Sequence, residues 1–146
     1  DRAMMLYARA IEIAPTLPGA RLNRATLCFS LGDPAAAEED IMLVLKHNPG
    51  NFEAIFNAAS MVASLAATAP TDTQRDILYD RAEHAFRLAV DVRPDAAIAH
   101  FNLGKLLFIR GKFDEATFFF RIACQLEPNN PEHQQFYARA LEAGGK

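Results

Sequence analysis

Four prolines, Pro15, Pro49, Pro94 and Pro128, stand 34, 45 and 34 residues apart, and other residues keep phase with them. Twelve residues before each comes an alanine (Ala3, Ala37, Ala82, Ala116). Eight before comes a bulky apolar residue (Tyr7, Ile41, Phe86, Phe120), and five before a small or medium one (Ala10, Val44, Ala89, Ala123). A period of this length restricts the architecture sharply. Each unit is too small to bury its own apolar face, so successive units must stack and share a continuous core.

The unit is clearest between Ala99 and Asn130. Apolar residues recur at helical spacing from Ile98 to Ile109, Gly111-Lys112 interrupts them, and the pattern resumes from Phe113 to Leu126. Glu127-Pro128-Asn129-Asn130 ends it, because proline disfavours helical backbone at the residue before it. Gly104 and Ala116 fall where two antiparallel helices cross, and side chains that small let the backbones approach. The unit reads as a helical hairpin.

A helix-turn-helix unit with this signature resembles the tetratricopeptide repeat. The best copy reads His100-x-x-Leu103-Gly104-x-x-Leu107, then Ala116-x-x-x-Phe120, then Pro128. It departs from the family pattern at His100, where tryptophan is preferred, and at Leu107, where tyrosine is. The resemblance implies an all-α fold, a right-handed superhelical stack of antiparallel helix hairpins, spanning residues 1–146 as a single domain.

Within that frame, residues 1–17 are the second helix of a truncated repeat and 18–51 a complete repeat, with helices near 19–31 and 34–47. Residues 52–96 form a repeat with an eleven-residue insertion, 97–130 a third complete repeat, and 131–146 a capping helix or truncated repeat. The inserted residues lie around Ala66 to Gln74 and should lengthen both helices of their hairpin, with Thr71-x-x-Gln74 as a capping box opening the second. The chain starts at Asp1, inside a repeat, and reads as a piece of a longer protein. Apolar surface around Leu6, Tyr7 and Ile11 predicts weak self-association through the N-terminal helix.

Charge and composition narrow the function. The net charge of −3 offers no basic surplus for nucleic acid, and no apolar run approaches the roughly 18 residues that cross a bilayer. The acidic run Glu38-Glu39-Asp40 reads as a solvated helix face. The four histidines have no metal-ligand spacing with one another or with Cys28 and Cys124, and His100 reads as a packed side chain. No nucleophile motif, phosphate-binding loop or paired carboxylates stand out, so the expectation is a non-catalytic chain with no cofactor and no metal.

The remaining resource is surface. In the family, the first helix of each repeat lines the concave face, and helical periodicity selects the residues that point inward. They are Leu22, Asn23, Thr26 and Phe29 in one repeat, Glu53, Phe56, Asn57 and Ser60 in the next, and Ile98, Phe101, Asn102, Lys105 and Phe108 in the third. Asn23, Asn57 and Asn102 occupy one equivalent place. An amide carries both donor and acceptor, so this row can hold an extended peptide backbone, or it can bond between repeats. Chaperone-binding members grip a terminal carboxylate with basic residues; here Leu22, Ile98 and Asn102 stand at those places, and the phenylalanines favour an apolar segment. The expected function is a peptide- or protein-binding scaffold. The alternatives are a substrate-presenting or regulatory arm of a larger enzyme, such as a glycosyltransferase, and a structural self-assembly module.

Overall fold

The computed structural model describes residues 2–145, so Asp1 and Lys146, the outer ends of the first and last expected segments, lie outside it. Among the described residues there are eight α-helices and no strand: α1 (Arg2–Ile13), α2 (Pro18–Ser30), α3 (Pro34–His47), α4 (Phe52–Ala67), α5 (Asp72–Val92), α6 (Ala97–Ile109), α7 (Phe113–Leu126) and α8 (Pro131–Gly144). The chain is an α-solenoid. α2 pairs with α3, α4 with α5 and α6 with α7 as hairpins, while α2, α4, α6 and α8 also touch in sequence, each neighbour to the next.

Local chemistry fixes the boundaries. Asp33, Asn51, Thr71 and Asn130 cap the helices that follow them by accepting backbone N–H bonds, and proline opens α2, α3 and α8, where a missing N–H costs nothing. Thr71 accepts from the Gln74 N–H at 3.2 Å and donates its hydroxyl to the Gln74 side chain at 3.1 Å. The capping box is therefore closed through the two side chains rather than through the Thr71 backbone.

The two 34-residue hairpins turn in the same way. Gly32 (φ 83°) and Gly111 (φ 74°) adopt the left-handed conformation that glycine tolerates best, and the residue after each donates back to the last turn of the helix, Asp33 to Cys28 and Lys112 to Leu107, both at 2.9 Å. The insertion replaces that turn in the middle hairpin: α4 has 16 residues and α5 has 21, so both helices are extended.

The proline turns repeat as well. The N–H of the residue before each proline, Ala14, Asn48, Arg93 and Glu127, bonds back to the helix it leaves, and the carbonyl of that same residue accepts from the N–H of Leu17, Asn51, Ala96 and Asn130 in turn.

Packing follows the small residues. Ala37, Ala82 and Ala116 are buried at the crossings, and a Cβ built on Gly104 would lie 2.8 Å from the Phe120 ring. The main core runs through the stack from Leu22 on α2 to Ala140 on α8, with a smaller cluster of Phe52, Ile55, Ala89 and Ala99 between the middle repeats.

One reading of the sequence is corrected. Asp40 is not part of a solvated face: it is fully buried, bonded by Arg24 through two contacts of 2.7 Å and by Arg21 at 3.1 Å. Arg21 also donates to the Pro15 carbonyl, tying α2 and α3 to the first proline turn. Asp40 lies three residues after Ala37 and four before Val44, on the side of α3 that packs.

Candidate functional site

The residues expected to point inward divide into three sets. Asn23, Thr26, Glu53, Asn57 and Ile98 are exposed, and Ser60, Asn102 and Lys105 are partly so. Leu22 and Phe101, by contrast, are in the core. The Phe101 ring is enclosed by Phe120 at 5.7 Å, Phe136 at 5.3 Å and His133 at 4.5 Å between centroids, so it supports the face from beneath and offers it no open ring. Phe29, Phe56 and Phe108 are intermediate: each is half-buried against the core, Phe56 stacked on Phe52 and edge-on to Phe86, Phe108 edge-on to Phe113.

The asparagine row has a definite hydrogen-bonding state. Asn102 donates to the Ile98 carbonyl of its own helix at 2.8 Å, which leaves its side-chain oxygen and a second N–H. The Asn23 and Asn57 side chains are exposed and make no hydrogen bond among the described residues, so none of the three amides bonds a neighbouring repeat. Thr26 lies 3.7 Å from the Met61 sulfur, joining α2 to α4 across the face.

Charges on this face are already engaged. The Lys105 ammonium sits over the Phe101 and Phe136 rings at 5.4 and 5.6 Å. Glu53 bonds Arg93 at 2.9 Å, and its own backbone N–H and then Arg93 hold its carboxyl below the usual value. The Arg93 guanidinium lies over Phe52 at 4.1 Å. Gly50, Asn51, Phe52, Glu53, Val92 and Arg93 line an open cleft of about 470 Å³ here.

A second charged cluster escaped the sequence reading. Glu83 of α5 receives Arg87, Arg110 and Lys112, at 2.9, 2.5 and 3.0 Å, while Arg110 reaches Asp80 and Arg87 reaches Glu115. Burial works to raise the Glu83 carboxyl, but the bonds from Lys112 and Arg87 prevail and hold it below the ordinary value. Its members come from α5, the Gly111 turn and α7, so sequence separation hid it.

The other candidate side chains are packed. The His100 ring is buried, 2.8 Å from the Pro94 carbonyl through Nε2 and stacked near Phe119. Cys28 and Cys124 are free thiols, and burial pushes both up. No helix among the described residues is long and apolar enough to cross a membrane.

Comparison with known proteins agrees with the fold. Residues 75–131 match the tetratricopeptide repeat family model. The chain is 23% identical over 157 residues to the human Protein O-mannosyl-transferase TMTC1, a match covering 89% of this chain and 18% of that protein. It thus spans less than a fifth of that relative's length. Among solved structures it is similar to MamA, with a TM-score of 0.72 and 18% identity over 97% of this chain and 77% of that one. It is also similar to the first TPR of Spaghetti (RPAP3) bound to the HSP90 peptide SRMEEVD, with a TM-score of 0.65 and 21% identity over 88% of this chain and 94% of that one.

Proposed function

The chain is built from tetratricopeptide repeats, and we propose that it is a non-catalytic protein-interaction module that holds a peptide or helical segment of a partner along the face of α2, α4 and α6. The observation that carries this reading is the asparagine row: three amides in one equivalent place, two of them exposed with their donors and acceptors uncommitted. Polar groups so placed suit the N–H and C=O groups of an extended backbone, whatever its side chains. The peptide-bound Spaghetti structure supports the idea that a stack of this fold can hold such a segment.

The ligand chemistry we favour is neutral and apolar. At the places where a carboxylate clamp needs basic residues, Leu22 is buried, Ile98 is exposed and Asn102 is uncharged. Lys105 is drawn over two aromatic rings. Half-buried Phe29, Phe56 and Phe108 line the same side and can add apolar contact at their open edges.

The test is a peptide library read against single variants. Asn57→Ala should weaken binding of diverse peptides by about 0.5–1.5 kcal/mol, the worth of one neutral hydrogen bond, with an unchanged melting temperature. Phe56→Leu should change which peptides are preferred, because aromatic contacts select by shape. Unchanged affinity for Asn57→Ala and Asn102→Ala would refute the backbone-holding role.

A second reading, a substrate-presenting or regulatory arm of a larger glycosyltransferase, is favoured by the similarity to the O-mannosyl-transferase. It expects library binders to be enriched in hydroxyl-bearing acceptor residues. Binders with no such enrichment count against it.

A further inference from the structure

Amides at the sixth place of α2, α4 and α6 suit any backbone, so a row of them lets a segment slide along it or reverse. A fixed register needs a contact beside the row, and the ninth place of these helices changes along the stack. It is Thr26 in α2 and Ser60 in α4, both neutral, then Lys105 in α6 and Arg139 in α8. The place is open within the stack itself. α4 lies between α2 and α6, and α6 between α4 and α8, yet Ser60 and Lys105 remain partly exposed. Stacking of hairpins therefore does not cover it.

Elsewhere the cations of this chain meet acids: Arg21 and Arg24 share Asp40, and Arg87, Arg110 and Lys112 share Glu83. Lys105 and Arg139 have neither an ion pair nor a hydrogen bond among the described residues. Both lean on one ring instead. The Lys105 ammonium lies 5.6 Å and the Arg139 guanidinium 5.5 Å from the centre of Phe136, and Lys105 is also 5.4 Å from Phe101. Phe101 is buried and Phe136 half-buried, so the rings are fixed and hold the two cations at the surface. A ring attracts a cation through its quadrupole and leaves the charge intact. Holding it in place beforehand also removes part of the entropy that a free side chain loses on binding. The result is a positive spot on a chain whose net charge is −3.

Resting on the peptide-binding reading above, we propose that Lys105 and Arg139 receive the side-chain carboxylate of one acidic residue in the bound segment, which fixes the register of a segment otherwise neutral and apolar. Lys105 follows Asn102 by three residues, about 4.5 Å along the helix at the usual rise. A backbone held on the amides passes the ammonium at a distance that an acidic side chain bridges. A terminal carboxylate, being part of the backbone, would lie on the row itself, where Asn102 carries no charge.

The experiment is a peptide titration of the parent and its variants, with melting temperatures followed alongside. The probes are acetylated and amidated apolar peptides carrying Glu, Gln or Lys at one position, which is moved along the peptide. The parent should bind the best Glu peptide at least about threefold more tightly than its Gln twin, as an exposed ion pair allows, and should lose most of that margin in high salt. Lys105→Gln should remove most of the preference, Lys105→Arg should keep it, and Lys105→Glu should turn it toward the Lys peptide. Equal affinity of the parent for Glu and Gln peptides overturns the proposal, as does a preference that survives when Lys105→Gln and Arg139→Gln are combined. A gain that comes from a free C-terminal carboxylate and not from the Glu side chain overturns it too, because the ligand is then a chain end. The Gln peptides keep the two readings apart: if they bind and Asn57→Ala weakens them, backbone holding stands whatever becomes of Lys105. If no peptide of any kind binds the parent, the peptide-binding reading has failed and the acidic contact falls with it.

Discussion

Gly104→Ala should destabilise this protein, although the same change stabilises an ordinary helix. Alanine is favoured over glycine in a helix interior by about 1 kcal/mol. Against that gain, a Cβ at position 104 would lie 2.8 Å from both Cδ1 and Cε1 of Phe120 and 3.2 Å from its Cζ. Unstrained carbon contacts sit near 3.5–4.0 Å, roughly where dispersion is most favourable. The ring has little room to retreat: Phe120 is fully buried and stands against Phe101 at 5.7 Å and Phe136 at 5.6 Å. Overpacking of a well-filled core costs about 1–3 kcal/mol, and a confined ring places this site toward the upper end. The net expectation is a loss of about 1–2 kcal/mol, or a melting temperature lower by roughly 2–8 °C for a chain of this size. Gly19→Ala is the matched control. Gly19 lies in α2 with no heavy atom within 4 Å of its would-be Cβ, so there the substitution should gain up to about 0.5–1 kcal/mol. Urea denaturation of the two variants beside the parent measures both signs. If Gly104→Ala is as stable as the parent, the close helix crossing is not tight, and the steric reasoning fails.

Removing the buried acid should be more severe: Asp40→Ala leaves Arg21 and Arg24 without their carboxylate and should cost about 3–5 kcal/mol in urea denaturation, whereas Glu39→Ala on the exposed side should be near neutral. Acid should act partly through Glu83. Its folded pKa is depressed, so its contribution is present above the unfolded value of about 4.3 and is lost as pH falls through the lower folded value. Melting curves of Glu83→Gln should therefore show less loss of stability than the parent over that acid range, and an identical pH profile would show that the cluster with Arg87 and Lys112 adds nothing.

The sequence alone determined the hairpins, their phase and the extended middle repeat, because these follow from local signals. Helical spacing of apolar residues, glycine at positive φ in the Gly32 and Gly111 turns, capping by Asp33 and Thr71, and prolines closing each unit act over a few residues and need no partner. Periodicity also gave the direction in which Phe101 and Asn102 point. What it could not supply is whether another helix stands in that direction. Phe101 proves to be enclosed by α7 and α8 through Phe120, His133 and Phe136, while the adjacent Asn102 stays partly open, a distinction set by packing between repeats. Asp40 looked solvated beside Glu38 and Glu39, yet a turn of about 100° per residue carries it onto the buried side of α3, where two arginines nineteen and sixteen residues away come within reach only once α2 has folded back. Charge pairing and access are properties of surfaces brought together across the stack, so tertiary structure alone decided them.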